Sequence, residues 1–285
     1  MSIQQDTTIP DKTLVFDNRL DSYESFFDHD WAGSLFQLVD QTQLGPLAMD
    51  LCTDWKGAAN TMRLPWLIVH SLESFHTGYL QPNEPFWQKL TRAFRAYLLD
   101  KTKHSFSLTK RKELAGIINK VSDEVQEEIG KAPPVFDRQD MWERFLEVEE
   151  FSLSLWSSQK LCYGAVYYAY ENFLRQCVSI GQKKPSYRAH STAQLRDDLN
   201  TLFGSAIGNT CLDDDKIILA RRVRNALVHN GGRATSEIKA SPGGLTIMNE
   251  MIHVMPPDVR ELYNLLKEHI TRLAEEARRL PQFRI

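Results

Sequence analysis

The sequence predicts a mainly α-helical protein: a helical bundle with one small β-hairpin before its last helix, plus an N-terminal helical region. Three observations carry this. Over residues 137–179, Phe145, Val148, Phe151, Leu155, Cys162, Val166, Tyr170, Phe173 and Cys177 recur at steps of three, four and seven, the period of one helix face. A second stretch, Leu212 to Gly232, reads as an amphipathic helix with both ends marked. Only residues 236–254 incline to β structure.

In chain order, residues 1 to about 30 are polar and read as an arm or loop. Helices are expected over 31–43, 64–75 and 84–100, with breaks at Gly45-Pro46 and Gln81-Pro82-Asn83. A fourth runs over 109–129, closed by Gly130 and followed by Ala132-Pro133-Pro134. That proline pair sets a domain boundary: residues 1–135 form an N-terminal helical region of unassigned role, and residues 136–285 a second helical domain. Asp137 caps the long helix, which reaches about Ser179. A run of that length bends around a core or pairs with another long helix, and its Tyr163, Tyr167, Tyr168 and Tyr170 suit packing or a dimer seam better than base stacking. Ser191 with Gln194 marks a capping box for a helix through Phe203, and Gly204 to Thr210 reads as a loop. Ser236 to Ala240 and Leu245 to Val254 then make the expected hairpin about Ser241-Pro242-Gly243-Gly244. Pro257 at a first helical position, beside Asp258, opens a last helix through Leu280.

Composition narrows the function. The chain is 42% apolar and 25% charged with a net charge of −3, which argues against coating nucleic acid by bulk electrostatics. Charge is uneven: residues 181–285 hold 16 Lys/Arg against 12 Asp/Glu, a balance of +4 that leaves −7 upstream. Cys52, Cys162, Cys177 and Cys211 contain no C-x-x-C pair, which suits buried thiols in a reducing compartment. The first residues show no secretory pattern and no run approaches a membrane span, so a cytoplasmic protein without membrane attachment is expected. No P-loop or G-x-G-x-x-G occurs, so no cofactor is indicated.

The helix from Leu212 to Gly232 carries the candidate chemistry. Asp213 to Asp215 offer an N-cap and place negative charge on the first turn. Ile217, Ile218, Ala220, Val223, Ala226 and Leu227 form the apolar stripe, and Gly231-Gly232 stop the helix. Its last turns hold Arg221, Arg222, Arg224, Asn225 and His229. Asn225 and His229 lie one turn apart on one face, with Arg222 over the same face. Arg224 stands about 140° from His229 on an ideal helix, so the two converge only through distortion or a second copy. A forked guanidinium with an imidazole that titrates near neutrality suits phosphodiester chemistry. The helix dipole alone would also favour cations there.

The spacing Arg224, four residues, His229, near the end of a penultimate long helix, resembles the signature of HEPN domains, whose Arg is commonly followed by a polar residue, here Asn225. The longer string Arg221 to Gly232 is similar to members of that superfamily. Ala169-Tyr170-Glu171-Asn172-Phe173-Leu174 resembles an early HEPN helix that carries an acid, here Glu171. The resemblance covers about residues 140 to 280. It implies a helical bundle that dimerises so that two Arg–His pairs face one cleft. It further implies a metal-independent endoribonuclease of a toxin, antiphage or RNA-processing system, with RNA as substrate and an antitoxin or defence protein as partner. On that pattern His229 would move the 2′-OH or 5′-oxygen proton, Arg224 would bind the scissile phosphate, and Asn225 would hold the His229 ring or touch the phosphate. Glu171, Arg221 and Arg222 would support them. Members silenced by a nucleotidyltransferase often carry Tyr two residues after the His, and here that position is Gly231. Other members bind RNA or nucleotides without cleaving, which is the alternative reading.

Weaker candidates have simpler explanations. Glu171 is expected to pair with Arg175 one turn on. His70 and His76 lack a third ligand at metal spacing and read as structural. Asp28-His29-Asp30 fits a loop before Trp31. Gly204-Ser205-Ala206-Ile207-Gly208 is not a nucleophile elbow, because its pattern is wrong and no strand precedes it. Lys183, Lys184 and Arg188 make a modest basic loop.

Overall fold

A computed structural model describes residues 16–75, 84–103, 106–131, 136–185 and 187–285. It is mainly helical: α1 (His29–Val39), α2 (Gly45–Phe75), α3 (Glu84–Lys101), α4 (Leu108–Lys131), α5 (Arg138–Leu146), α6 (Glu149–Gly181), α7 (Thr192–Phe203), α8 (Ser205–Asp213), α9 (Asp215–His229), α10 (Ser236–Ala240) and α11 (Pro256–Arg279). The hairpin β1 (Thr246–Met248) and β2 (Met251–His253) precedes α11 and pairs antiparallel, Ile247 opposite Ile252. No helix among the described residues is long and apolar enough to cross a membrane.

The chain forms two compact units, residues 67–142 and the remainder. The division therefore does not follow the expected boundary at residue 135, and Pro133-Pro134 themselves lie outside the described residues. Residues 16–66 belong with the C-terminal helices. In that unit α6 is the spine. Its Leu155, Cys162, Val166, Tyr170, Phe173 and Cys177 are buried, and α7, α9 and α11 pack along it. α11 contributes Val259, Leu262, Leu266, Ile270 and Leu273 to the same core. The N-terminal segment closes over this core through aromatic rings and buried polar bonds. Trp31, Trp55 and Tyr263 have ring centroids 5.0 to 6.2 Å apart. The Trp55 indole N–H donates to the Val166 carbonyl at 3.0 Å, and Gln159 donates to the Tyr23 hydroxyl at 2.9 Å. Asp28 caps α1 through the Trp31 N–H and also takes the Lys267 ammonium at 2.6 Å. The motif-like Asp28-His29-Asp30 is thus a helix start.

In the smaller unit α3 and α4 form a helical hairpin, with Arg95 donating to Asn119 at 3.3 Å and the Thr91 and Ser122 hydroxyls bonded to each other. Its apolar face stays open: Leu90, Phe94, Ile117 and Val121 are about half exposed around a groove of about 370 Å³. His70 lies 3.5 Å from Glu73, which also accepts from Arg138 at 2.9 Å. His76 and Gln81-Pro82-Asn83 lie outside the described residues.

Four local expectations need correction. Gly45-Pro46 opens a helix rather than breaking one, since proline is tolerated in a first turn, and α2 then continues through Pro65. The long 137–179 helix is interrupted at Glu147–Val148; the Ser152 hydroxyl donates to the Leu146 carbonyl at 2.6 Å and so fastens the start of α6 to the end of α5. Residues 204–210 fall largely within helix α8, which packs on α7. The hairpin turns at Asn249-Glu250, whose φ angles of 47° and 67° suit a mirror-image two-residue turn. Ser236–Ala240, expected as its first strand, is instead a short helix with Ile238 buried.

Candidate functional site

α9 begins where the acidic run places it: the Asp214 side chain accepts from the Lys216 N–H at 2.9 Å. Ile217, Ala220, Val223 and Ala226 are buried along its inner face, and α9 packs on α6. At the far end Gly231 turns left-handed at φ +61°, so the Asn230 and Gly232 N–H groups both donate to the Ala226 carbonyl at 3.0 Å. The chain then runs beside β2, with Ile252 donating to Gly232 at 2.9 Å and Ala234 to Glu250 at 2.7 Å. The hairpin therefore braces the helix terminus.

Arg222, Asn225 and His229 are exposed on the outer face of α9. Arg221 and Arg224 are half-buried on the flank toward α6. Asn225 is engaged differently from the expectation: its side-chain carbonyl accepts from the Arg224 guanidinium at 3.0 Å and does not hold the His229 ring. Adjacent residues can make this contact because the long arginine side chain reaches across the helix surface. His229 makes no hydrogen bond or ion pair among the described residues, so none of them fixes its ring.

Glu171 pairs with Arg175 at 2.7 Å, one turn along α6, and Arg175 also donates to the Ala189 carbonyl at 3.2 Å. These charges meet Arg221 and Arg224 around one buried phenol. Burial pushes the Tyr167 hydroxyl well above the usual tyrosine range and Glu171 adds to this, whereas Arg221, Arg224 and Arg175 pull it back. Arg221 Nη1 is buried without a hydrogen-bond partner among the described residues. Three guanidiniums against one carboxylate leave a local positive excess that suits an anion. The fold thus gathers Glu171, Arg221 and Arg224 and leaves Arg222 and His229 on the outward face. Arg222 faces α10, where its charge helps to hold the Glu237 carboxyl low, after the Thr235 hydroxyl and the Glu237 backbone N–H.

Sequence reasoning missed a further cation near this helix end. The Lys160 ammonium lies 3.3 Å from the centroid of the Trp156 ring, a cation–π contact. Burial lowers its proton affinity. The Lys160 stem stands 3.7 Å from where a Cβ on Gly232 would sit. Trp156 and Lys160 are one turn apart on α6, a spacing visible in the sequence, but nothing local says that Gly232 arrives there. The four cysteines are buried thiols, with Cys52 pushed up to about 11 and Cys162 to about 12 by burial, which leaves little thiolate for nucleophilic work. Among the described residues no three His, Cys, Asp or Glu side chains gather as a metal-holding set. No family model, curated protein or solved structure matches the chain.

Proposed function

We propose that the protein is a metal-independent endoribonuclease of the HEPN type, cleaving RNA at a site composed across a homodimer. The observation that carries this reading is the C-terminal half of α9, where Arg224, tied to Asn225, and His229 stand at a helix end open to solvent. The ribose 2′-oxygen attacks phosphorus and the 5′-oxygen leaves, giving a 2′,3′-cyclic phosphate and a 5′-hydroxyl. His229 takes the proton from the 2′-OH or returns one to the 5′-oxygen. Arg224 stabilises the charge that builds on the phosphoryl oxygens. Arg221 extends the positive ledge along which the RNA backbone lies, and Glu171 holds Arg175 in the same cluster. A cytoplasmic toxin or antiphage role, with an antitoxin or defence partner, accompanies this reading. A second reading, a module that binds RNA or nucleotides without cutting, is favoured by one observation: the Asn225 carbonyl is spent on Arg224, so the imidazole has no orienting group among the described residues.

The test is cleavage of end-labelled RNA in EDTA, with product ends identified. His229→Ala is expected to lower the rate by about 10²–10⁴-fold while leaving the circular dichroism spectrum and melting temperature unchanged. Cyclic phosphate ends should be lost together with activity. Equal cutting by the variant overturns the assignment. Binding that depends on Arg224, with no cutting under any condition, establishes the second reading.

A further inference from the structure

Away from the basic cluster, Tyr163 of α6, the N-terminal half of α9, the loop after α10 and the first turns of α11 line a cavity of about 120 Å³ that opens to solvent. Its walls include Leu219, Leu245, Leu262 and Leu265. Two polar groups line it and lack partners there. Tyr163 is 4% exposed, and its hydroxyl makes no hydrogen bond among the described residues. Asp258 uses Oδ2 to accept the Met255 N–H at 2.7 Å, which caps α11, and its Oδ1 has no hydrogen-bond or ion partner among the described residues. Burial first, then Glu261, pushes its carboxyl up to about 6, against the pull of the Met255 N–H. Lys216, which also lines the cavity, lies 3.7 Å from Glu261, with both side chains largely in water.

An occupant must meet an acidic oxygen and a phenolic oxygen, close enough for the Asp258 charge to act on the Tyr163 hydroxyl, together with aliphatic walls. An anion meets the charge of Asp258 and Glu261 unfavourably. An alkane or ether would cover the Asp258 carboxylate without offering it a donor, at a cost comparable to a lost hydrogen bond. A primary ammonium supplies three donors and a positive charge. A short aliphatic stem buries its methylenes against the leucine walls.

We propose that the cavity between α6, α9 and α11 is a binding site for a primary ammonium on a short aliphatic stem, held by Asp258 and Tyr163. The same head and stem occur in a free alkylamine and in a lysine side chain. The site is independent of the ribonuclease reading, and its test needs no RNA.

The intact protein is titrated at pH 7.5 with n-butylammonium chloride, n-butanol and sodium butyrate, with the melting temperature and amide chemical shifts as readouts. Butylammonium is expected to saturate in the millimolar range, shifting amides of α9 and α11, and the other two are not. Tyr163→Phe deletes only an unbonded oxygen and should weaken binding severalfold. Asp258→Asn should weaken it by at least about tenfold. If loss of the cap unfolds that variant, the phenylalanine variant still decides. Lowering the pH to 5 protonates Asp258, with Glu261, Lys216 and Tyr163 as its charged or titratable neighbours, and should weaken binding by about tenfold. Equal response to the three probes, no saturation, or an unchanged constant in Tyr163→Phe overturns the proposal. Nα-acetyl-lysine methylamide binding as tightly as butylammonium identifies a lysine side chain as the source, and its exclusion identifies a free amine.

Discussion

His269 sits on α11 only 3% exposed, and neither ring nitrogen has a hydrogen-bond partner among the described residues. Burial holds its pKa below the ordinary histidine value, opposed by Asp214 and Glu268 and helped by Arg272. The unfolded chain binds the proton more readily, so the stability that neutral His269 contributes is complete above pH 6.5. It is lost as pH falls from there through the folded value. His253, lowered by burial and by Lys160, acts in the same direction. Asp258 acts oppositely: with its carboxyl raised from 3.8 to about 6, folding gains as pH falls through that window. His269→Leu isolates one component, since an aliphatic side chain of similar size leaves no unpaired nitrogen. Urea midpoints should match or exceed wild type at pH 7.5 and fall less steeply toward pH 5.5, whereas parallel curves would refute the assignment. Near the candidate site, the Glu171–Arg175 pair is legible in the sequence because it spans one helical turn, whereas the bond of Asn225 to Arg224, in place of the expected one to His229, is not. The buried phenol of Tyr167 among three guanidiniums is not legible either, because it exists only where α6 meets α9.

At the level of elements, the same distinction separates what local signals can specify. Asp214, Ser191 and Gly231 mark helix ends through bonds to residues two to six positions away, and the structure keeps each of them. α8 reads as a loop in the sequence because Gly204, Gly208 and polar neighbours resemble one. Its helicity comes from packing on α7, and Gly208 is the contact: a Cβ there would lie 2.7 Å from the Asn200 backbone nitrogen and close to its amide oxygen. Gly208→Ala should therefore destabilise by about 1–3 kcal/mol through overpacking, despite alanine's better helix propensity. Gly164, inside α6, has nothing within 4 Å of where an added methyl would sit. Gly164→Ala should stabilise by up to about 1 kcal/mol. Urea unfolding of the two variants separates the effects, and equal signs would show that the α7–α8 contact is looser than these distances.

For the molecule as a whole, the contacts that the sequence hides are those between its ends. Asp28 and Lys267 are 239 positions apart, far beyond any pair within one helix or hairpin, yet they form one ion pair. A boundary drawn at a proline pair could not reveal that residues 16–66 complete the C-terminal core. The proposed catalytic unit depends on a juxtaposition that lies further still from local sequence, between two copies of the chain. Arg224 is turned to the α6 flank and bonded to Asn225, while His229 faces outward at the helix end. With about 140° between them on a straight helix, a two-fold axis that places the Arg224 of one copy beside the His229 of another removes the mismatch without distorting α9. Mixing separates this arrangement from one within a single chain. Arg224→Ala and His229→Ala proteins are each expected to be inactive. After unfolding and refolding together in equal amounts, half of the dimers pair one of each, and every such dimer holds one intact Arg–His pair and one doubly defective pair. Activity should return to roughly a quarter of wild type. A site within one chain is damaged in every subunit of that mixture, so it predicts no recovery, and recovery that fails although both variants dimerise would place the two side chains in a single subunit or outside the chemistry altogether.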